Sequence, residues 1–174
     1  MHGPGLHGVM AVYLDDWASG TTIFGNVFYK AGRAAMIGGG RNNTVENNMF
    51  IACEPSVHID ARGVSWGRYY FDRTSAHFVS TLFDRLDAVH YQQPPYSERY
   101  PELLSIPEDE PDLPKYNKIV RNVSFNSRWL NMYDGLDFDD FTMENNFIAD
   151  TALVRLKHEG DEDFTTYPMG DAGI

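Results

Sequence analysis

An internal repeat constrains the possible folds of this sequence more than any other feature. Four segments share one order of residue types: an aliphatic residue, an Asn three positions later, and then an apolar residue. They cover 23–28, 45–50, 119–125 and 143–148. The Asn residues of the first two segments, Asn26 and Asn48, are 22 positions apart (48 − 26), and Asn122 and Asn146 are 24 apart (146 − 122). Such a period predicts a repeat protein whose coils consist of short strands and tight turns.

A second row of apolar segments repeats with the same period. Leu14, Ile37 and Ile59 lie in it at intervals of 23 (37 − 14) and 22 (59 − 37) residues. Each segment alternates in polarity and ends near Gly, Asp or Asn, as strands bounded by turns do. Equivalent strands of neighbouring coils would lie about 4.8 Å apart. We therefore predict an all-β solenoid with a stacked aliphatic core and with an Asn ladder at a turn, where an amide satisfies backbone groups and tolerates left-handed geometry. The core stack is Ile23, Val45, Ile119 and Met143, and the ladder is Asn26, Asn48, Asn122 and Asn146.

The repeat is interrupted between the second and third Asn segments. The pattern stops near Trp66, and 74–89 carries apolar residues at the spacing of an amphipathic helix, with Thr74 or Ser75 available as N-cap. A proline-rich, aromatic and acidic stretch follows over 92–114. We treat 1–174 as a single domain that has its first coils over 1–65, an excursion over 66–115, its last coils over 116–157 and an acidic tail over 158–174.

Charge and composition narrow the choice of partners. The formal net charge of −11 is a poor match for nucleic acid or an anionic membrane surface, and no stretch approaches the roughly 20 apolar residues of a membrane-spanning helix. We therefore expect neither nucleic acid nor a membrane as a partner. The single cysteine, Cys53, excludes an internal disulfide and is expected to be a small buried apolar residue, so cysteine content does not identify the compartment.

Several short elements point to a known family. Residues 8–63 contain YLDD, GN-V-F, GGGRNN and ENN-F, and RYPELL at 99–104 precedes an N-x-I-V-x-N-V-S-x-N coil at 117–126. With these elements the chain resembles, over about 8–150, the right-handed parallel β-helix repeat proteins of bacterial carbohydrate-degrading systems. The resemblance implies a pectate-lyase-like fold with coils of about 22–24 residues and a polysaccharide or oligosaccharide ligand. It does not imply one activity, because lyases, hydrolases, epimerases and adhesins share this fold.

The resemblance also implies a location and a larger protein. Its members are exported, so we expect the full-length protein to be extracellular or periplasmic. The first residues of this chain lack the basic and apolar regions of a signal peptide, and neither end shows a clear capping element. We therefore expect this chain to be the C-terminal part of a longer protein, with further β-helix coils upstream.

Alignment of the first strand row places a candidate site on its outer face. If the aligned aliphatic residues point inward, their neighbours point outward. Asp15 and Asp60 then lie two coils apart, roughly 9 to 10 Å, with Gly38 between them. Inverting glycosidases hold their two carboxyl groups about 6.5–9.5 Å apart. We therefore predict Asp15 and Asp60 as a catalytic pair, and His58 as a proton shuttle or orienting group.

Other side chains near this pair are candidates for binding the substrate. They are Tyr13, Asp16, Trp17, Arg41 and Arg62. Trp17 is expected to stack on a sugar face, and Arg41 and Arg62 to bind hydroxyls or a uronate. The set requires no cofactor and no resident metal, although Ca²⁺ would find oxygen ligands in Asp15, Asp16 and Asp60.

Several functions stay open at this point. A glycoside hydrolase would use the carboxylate pair in an open groove, whereas a polysaccharide lyase would need a Lys or Arg base near a metal-neutralised uronate, and no Lys falls in this region. A non-catalytic glycan-binding or surface β-helix would instead have these carboxylates bonded to backbone amides or arginines. A truncated fragment without function would expose its uncapped first coil.

Overall fold

The computed structural model describes residues 9–72, 74 and 81–149 of the 174. In these residues the fold is mostly β, with few helices, and no helix is long and apolar enough to cross a membrane. The strands are β1 (Met10–Leu14), β2 (Thr22–Phe24), β3 (Val27–Tyr29), β4 (Arg33–Gly38), β5 (Thr44–Glu46), β6 (Met49–Ile51), β7 (Val57–Asp60), β8 (Asn117–Val120), β9 (Val123–Phe125), β10 (Leu130–Tyr133), β11 (Phe141–Glu144) and β12 (Phe147–Ala149). The α-helices are α1 (Thr81–Ala88) and α2 (Tyr96–Arg99), and short 3₁₀ turns occupy Arg68–Tyr70, Pro101–Leu104, Ile106–Glu108 and Phe138–Asp140.

The strands form three parallel sheets of four strands each. The first sheet has the order β1-β4-β7-β10, the second β2-β5-β8-β11 and the third β3-β6-β9-β12. The chain therefore visits the three sheets in the same order four times, and we call each passage a coil. Residues 61–116 are inserted within the third coil, between β7 and β8.

The strand register confirms the predicted aliphatic stacks. Ile23 pairs with Val45, Val45 with Ile119 and Ile119 with Met143 in the second sheet, while Leu14 pairs with Ile37 and Ile37 with Ile59 in the first. One hydrophobic cluster takes fully buried residues from each sheet, such as Ile37, Val45 and Phe50. A shift of one residue in any strand would turn its inward side chains toward solvent, so this shared core fixes the register.

The predicted Asn ladder is also confirmed. The Oδ1 atom of Asn122 accepts hydrogen bonds from the backbone N (3.0 Å) and the Nδ2 (3.1 Å) of Asn48. The Nδ2 atom of Asn122 donates to Oδ1 of Asn146 (3.0 Å) and to the carbonyl of Val45 (2.9 Å). Asn26 donates to Asn48 in the same way. Each interior amide therefore binds the coils on both of its sides.

The left-handed backbone lies one residue before the ladder, which corrects the expectation that the ladder residues themselves adopt it. Gly25, Asn47, Arg121 and Asn145 have φ values of +70°, +52°, +55° and +56°. This arrangement turns the chain sharply before each ladder Asn.

A second amide row stabilises the corner that precedes β5 and β8. Asn43 and Asn117 lie five positions before the ladder residues Asn48 and Asn122 (48 − 43; 122 − 117). The Oδ1 of Asn117 accepts from the backbone N of Asn43 (2.8 Å), and the Oδ1 of Asn43 accepts from the backbone N of Thr21 (3.0 Å). Two successive corners of the second and third coils thus use the same side-chain chemistry.

The excursion contains the predicted helix in part. Helix α1 lies within the predicted range of 74–89, and residues 75–80 of that prediction lie outside the described residues, as does the predicted acidic tail.

Arg41 holds the excursion against the coils. Its Nη1 donates to Oδ2 of Asp109 (3.0 Å), and its Nη2 donates to the carbonyls of Asp109 (2.7 Å) and Glu110 (2.9 Å).

We predict that Asn122→Ala lowers the free energy of unfolding by about 2–4 kcal/mol, because it removes the hydrogen bonds that Asn122 makes with buried groups of Asn48 and with the buried carbonyl of Val45. Asn26→Ala is the matched control. Asn26 is exposed at the end of the ladder and accepts no bond from another ladder residue, so its loss is expected to cost less than about 1 kcal/mol. Urea denaturation measures both values, and equal losses would contradict a supporting role for the interior amide.

Candidate functional site

The candidate site on the first sheet is organised around the buried side chain of Arg62. Its Nε (2.8 Å) and Nη2 (2.9 Å) donate to the two carboxylate oxygens of Asp60. Its Nη1 donates to Oδ1 of Asp15 (2.8 Å) and Oδ1 of Asp16 (2.9 Å), and more weakly to the hydroxyl of Tyr13 (3.3 Å). One guanidinium, 3% exposed, thus joins three carboxylates from the first and third coils.

The strand register explains this convergence. Asp60 ends β7 and pairs with Gly38 at the end of β4, while Asp15 and Asp16 directly follow β1. A Cβ atom at Gly38 would overlap the guanidinium of Arg62. The glycine therefore leaves the gap that sequence alignment placed between the two carboxylates, and the Arg62 guanidinium fills it.

The environment of Arg62 keeps the neighbouring carboxylates ionised. Burial alone would raise the pKa of Asp60, but hydrogen bonds from Arg62 and then from His58 outweigh burial and lower this pKa to about 2. A hydrogen bond from Tyr13 is the main cause of the lowered pKa of Asp15, and Arg62 adds to it. Burial would lower the pKa of Arg62, but its bond to Asp60 raises this pKa above the ordinary value. Both Asp15 and Asp60 therefore carry a negative charge at neutral pH.

Three partly exposed aromatic rings lie around these charges. The rings of Tyr13 and Trp66 are centred 5.8 Å and 5.6 Å from Cζ of Arg62, and their residues are 42% and 54% exposed. Tyr133 is 50% exposed and pairs in register with Asp60. We call Tyr13, Trp66 and Tyr133, together with Asp15 and Asp16, the aromatic platform.

Trp17 has a different position from the one expected for a sugar-stacking ring. It is half-buried, and its ring meets those of Tyr70 and Phe71 edge-on at centroid distances of 5.6 Å and 5.2 Å. Its indole lies against Gly39 and Gly67, where an added Cβ would come within 3 Å of it. Trp17 therefore packs the start of the excursion onto the coils, and Trp66 presents the more exposed indole.

His58 is buried next to the platform. Its Nε2 lies 3.6 Å from Oδ2 of Asp60, and its ring is centred 5.3 Å from that of Tyr133. The Nδ1 atom is buried and has no hydrogen-bond partner among the described residues. The predicted catalytic residues Asp15, Asp60 and His58 thus lie on one face of the first sheet, with Arg62 bonded to both carboxylates.

Arg41 belongs to a separate set of contacts. A cleft of about 400 Å³ forms between the excursion and the second coil, and Arg62 and its partners do not line it. Its lining residues are Arg41, Asn42, Glu102, Ser105, Ile106, Asp109 and Tyr116. Asp109 receives hydrogen bonds from Arg41, from Nζ of Lys115 (2.7 Å) and from the hydroxyl of Tyr116 (3.0 Å), so Arg41 anchors the excursion there.

The described residues contain no group of three or more His, Cys, Asp or Glu side chains arranged to hold a metal ion. The oxygens of Asp15, Asp16 and Asp60 that were considered for Ca²⁺ face the guanidinium of Arg62 instead. The guanidinium of Arg62 therefore supplies the positive charge between these carboxylates.

Sequence reasoning did not select Trp66 or Tyr133 as site residues. The strand that carries Tyr133 lies 73 positions after its partner in the third coil (132 − 59 for Met132 and Ile59), because the excursion separates them. Removing the excursion before aligning the first strand row would have placed Tyr133 beside Asp60. Trp66 lies in the loop after β7, where strand alternation gives no direction for a side chain.

Comparison with family models, with curated proteins and with solved structures finds no match to this chain. The contacts of Arg62 and its neighbours are therefore the evidence for a function of this site.

We predict that Arg62→Gln lowers the free energy of unfolding by about 3 kcal/mol, because it leaves the buried carboxylate of Asp60 without its two-point partner. Arg121→Gln is the matched control, since it removes an arginine from an exposed pair with Glu46 and should cost less than about 1 kcal/mol. The two losses are read from urea denaturation. Similar losses would mean that the Arg62 cluster contributes no more than a surface ion pair.

The loss of stability at low pH should also depend on the ionised carboxylate of Asp60. Its folded pKa of about 2 lies below the unfolded value of about 3.9, so its stabilising contribution is complete above the unfolded pKa and is lost as pH falls through the folded one. Between about pH 5 and pH 2 the protein should lose about 2 kcal/mol more stability than the Asp60→Asn variant. Urea denaturation at each pH measures the stability of both proteins. Equal losses in the two proteins would contradict the lowered pKa of Asp60.

Proposed function

We propose that this protein is a right-handed parallel β-helix that binds a polysaccharide on the aromatic platform of its first sheet without cleaving it. The observation that carries the proposal is the pairing of the half-exposed rings of Tyr13 and Trp66 with the buried Arg62 guanidinium, beside the exposed carboxylates of Asp15 and Asp16. A polysaccharide ligand would fit an extracellular or periplasmic location and a longer protein with further coils.

The topology supports the fold proposal. Three sheets visited in a fixed order and sharing one hydrophobic cluster are what a chain wound around a single core produces. Connections between parallel strands are right-handed in about 98% of cases, because a twisted strand packs back onto its sheet in only one hand. A right-handed winding is therefore the expected one.

The platform has the chemistry of a sugar-binding surface. Aromatic rings supply large, rigid apolar faces, and carboxylates beside them accept hydrogen bonds from hydroxyl groups. Tyr13 is in β1 and Tyr133 in β10, three strands away in the same sheet, so they are separated by roughly 14 Å along the stack. An extended ligand could follow this direction and contact rings from the first and last coils, with Trp66 as a third contact.

Hydrolysis by the carboxylate pair has weaker support. A glycosidase needs one carboxyl group that holds a proton near neutral pH, so that it can act as a general acid. Asp15 and Asp60 both have lowered pKa values, and Arg62 bonds to both. A lyase likewise needs an available base, whereas Arg62 and Arg41 are each bound to carboxylates. The contacts therefore favour binding over cleavage.

We predict that the protein is retarded in gels containing soluble neutral polysaccharides, and that Trp66→Ala or Tyr133→Ala weakens the affinity for the retarding glycan about tenfold, which is the order expected for losing an aromatic anchor. Phe24→Ala is the matched control, because Phe24 is similarly exposed but lies in the second sheet. It should leave the affinity unchanged.

The same incubations should release no reducing ends. Release that disappears in both Asp15→Asn and Asp60→Asn would favour the hydrolase over the binding protein. Equal effects of Phe24→Ala and Trp66→Ala, or no retardation by any glycan, would count against the platform as a binding surface.

A further inference from the structure

The positive charge at the centre of the platform is out of a ligand's reach. Arg62 is 3% exposed, and its Nε, Nη1 and Nη2 atoms all donate to carboxylates. With Asp15, Asp16 and Asp60 ionised against one guanidinium, the formal charge of this cluster is −2 (1 − 3). A ligand that approaches the platform therefore meets net negative charge, although an arginine lies beneath it.

The exposed charged groups of the platform are carboxylates, which accept hydrogen bonds. The side chains of Asp15 and Asp16 are 55% and 60% exposed. Asp16 bonds to Arg62 through Oδ1 alone, which leaves Oδ2 able to accept a hydrogen bond from a ligand. The faces of Tyr13 and Trp66 attract cations through their π electrons, as both already do with Arg62.

His58 adds a buried polar atom at the opposite end of the platform. Its Nε2 lies 3.6 Å from Oδ2 of Asp60, and its Nδ1 has no partner among the described residues. Buried polar atoms without partners are uncommon and call for an explanation. The half-exposed ring of Tyr133 lies beside that of His58, so this buried nitrogen belongs to the same end of the platform.

We infer that the platform prefers a polysaccharide of amino sugars, whose ammonium groups combine positive charge with three hydrogen-bond donors each. This inference rests on the proposed function and specifies its ligand class. A neutral glycan would keep the contacts with the rings but lack the charge, so it would bind more weakly. A uronate polymer would bring carboxylates against Asp15 and Asp16 and be repelled.

Two oligosaccharides with the same backbone provide the test. Titration calorimetry at about pH 5.5, where carboxylates and amines are both ionised, compares a glucosamine hexamer with an N-acetylglucosamine hexamer and with an oligogalacturonate. We expect the glucosamine hexamer to bind roughly tenfold more tightly than its acetylated counterpart, the uronate not to bind, and the difference to shrink as NaCl rises from about 20 to about 300 mM.

A pair of variants with the same change in net charge separates a specific site from general attraction to an acidic protein. Asp16→Asn should weaken the affinity for the glucosamine hexamer several-fold more than the affinity for the acetylated hexamer. Glu144→Gln, at an exposed position in β11 of the second sheet, should change neither. Urea denaturation confirms that both variants are folded.

The outcomes distinguish this inference from the proposal on which it rests. Equal affinities for the two hexamers, binding of the uronate, or an equal effect of Glu144→Gln would overturn the preference for amino sugars. Even then, the proposed function would stand if the acetylated hexamer binds and Trp66→Ala weakens that binding. Failure of every sugar to bind would overturn both.

Discussion

Hydrogen bonds between the side-chain amides of successive coils hold these coils together and in register. Most of the strands have only three or four residues and offer few backbone bonds, so side-chain amides add to the shared core in holding the register. Asn48 and Asn122 do so, because each amide accepts from the coil before it and donates to the coil after it. Buried amides satisfied on both sides bind the coils strongly, and leaving one unsatisfied is costly.

The site on the first sheet is a consequence of that register. Once Gly38 pairs with Asp60, the position between the carboxylates has no side chain of its own, and Arg62 can place its guanidinium there. The guanidinium then binds Asp15 from the first coil and Asp60 from the third. The two carboxylates predicted as a catalytic pair thus belong to a charge cluster centred on Arg62. The side chains that face solvent around this cluster are aromatic rings and the carboxylates of Asp15 and Asp16.

Much of the fold could be predicted from the sequence because the repeat is periodic. Aligning Ile23 with Val45, or Leu14 with Ile37, needs only the spacing, and the structure has both pairs in register. The second amide row was not predicted, because Asn43 and Asn117 lie in ordinary turn sequences. Only their position five residues before the ladder residues Asn48 and Asn122 distinguishes them. The fourth strand of the first sheet, Leu130–Tyr133, was missed because the excursion interrupts the period.

The site was less predictable than the fold, for a physical reason. Strand alternation correctly placed Asp60 and His58 on one face with Tyr13, but alternation ends where strands end. Arg62 and Trp66 follow β7 in a loop, and the directions of their side chains depend on contacts with residues far away in sequence. Residue types near a turn could therefore indicate which chemistry is present, but not which groups bind each other.

If the proposed function is right, ligands bind at the aromatic platform and not at the core or the excursion. The indole N–H signals of the three tryptophans in a ¹H–¹⁵N spectrum distinguish these places, because Trp66 belongs to the platform, while Trp129 packs against Phe50 in the core. Titration with an oligosaccharide that binds should shift the Trp66 signal most and leave that of Trp129 in place. A shift at Trp129 with Trp66 unchanged would place the ligand elsewhere and rule out binding on the platform.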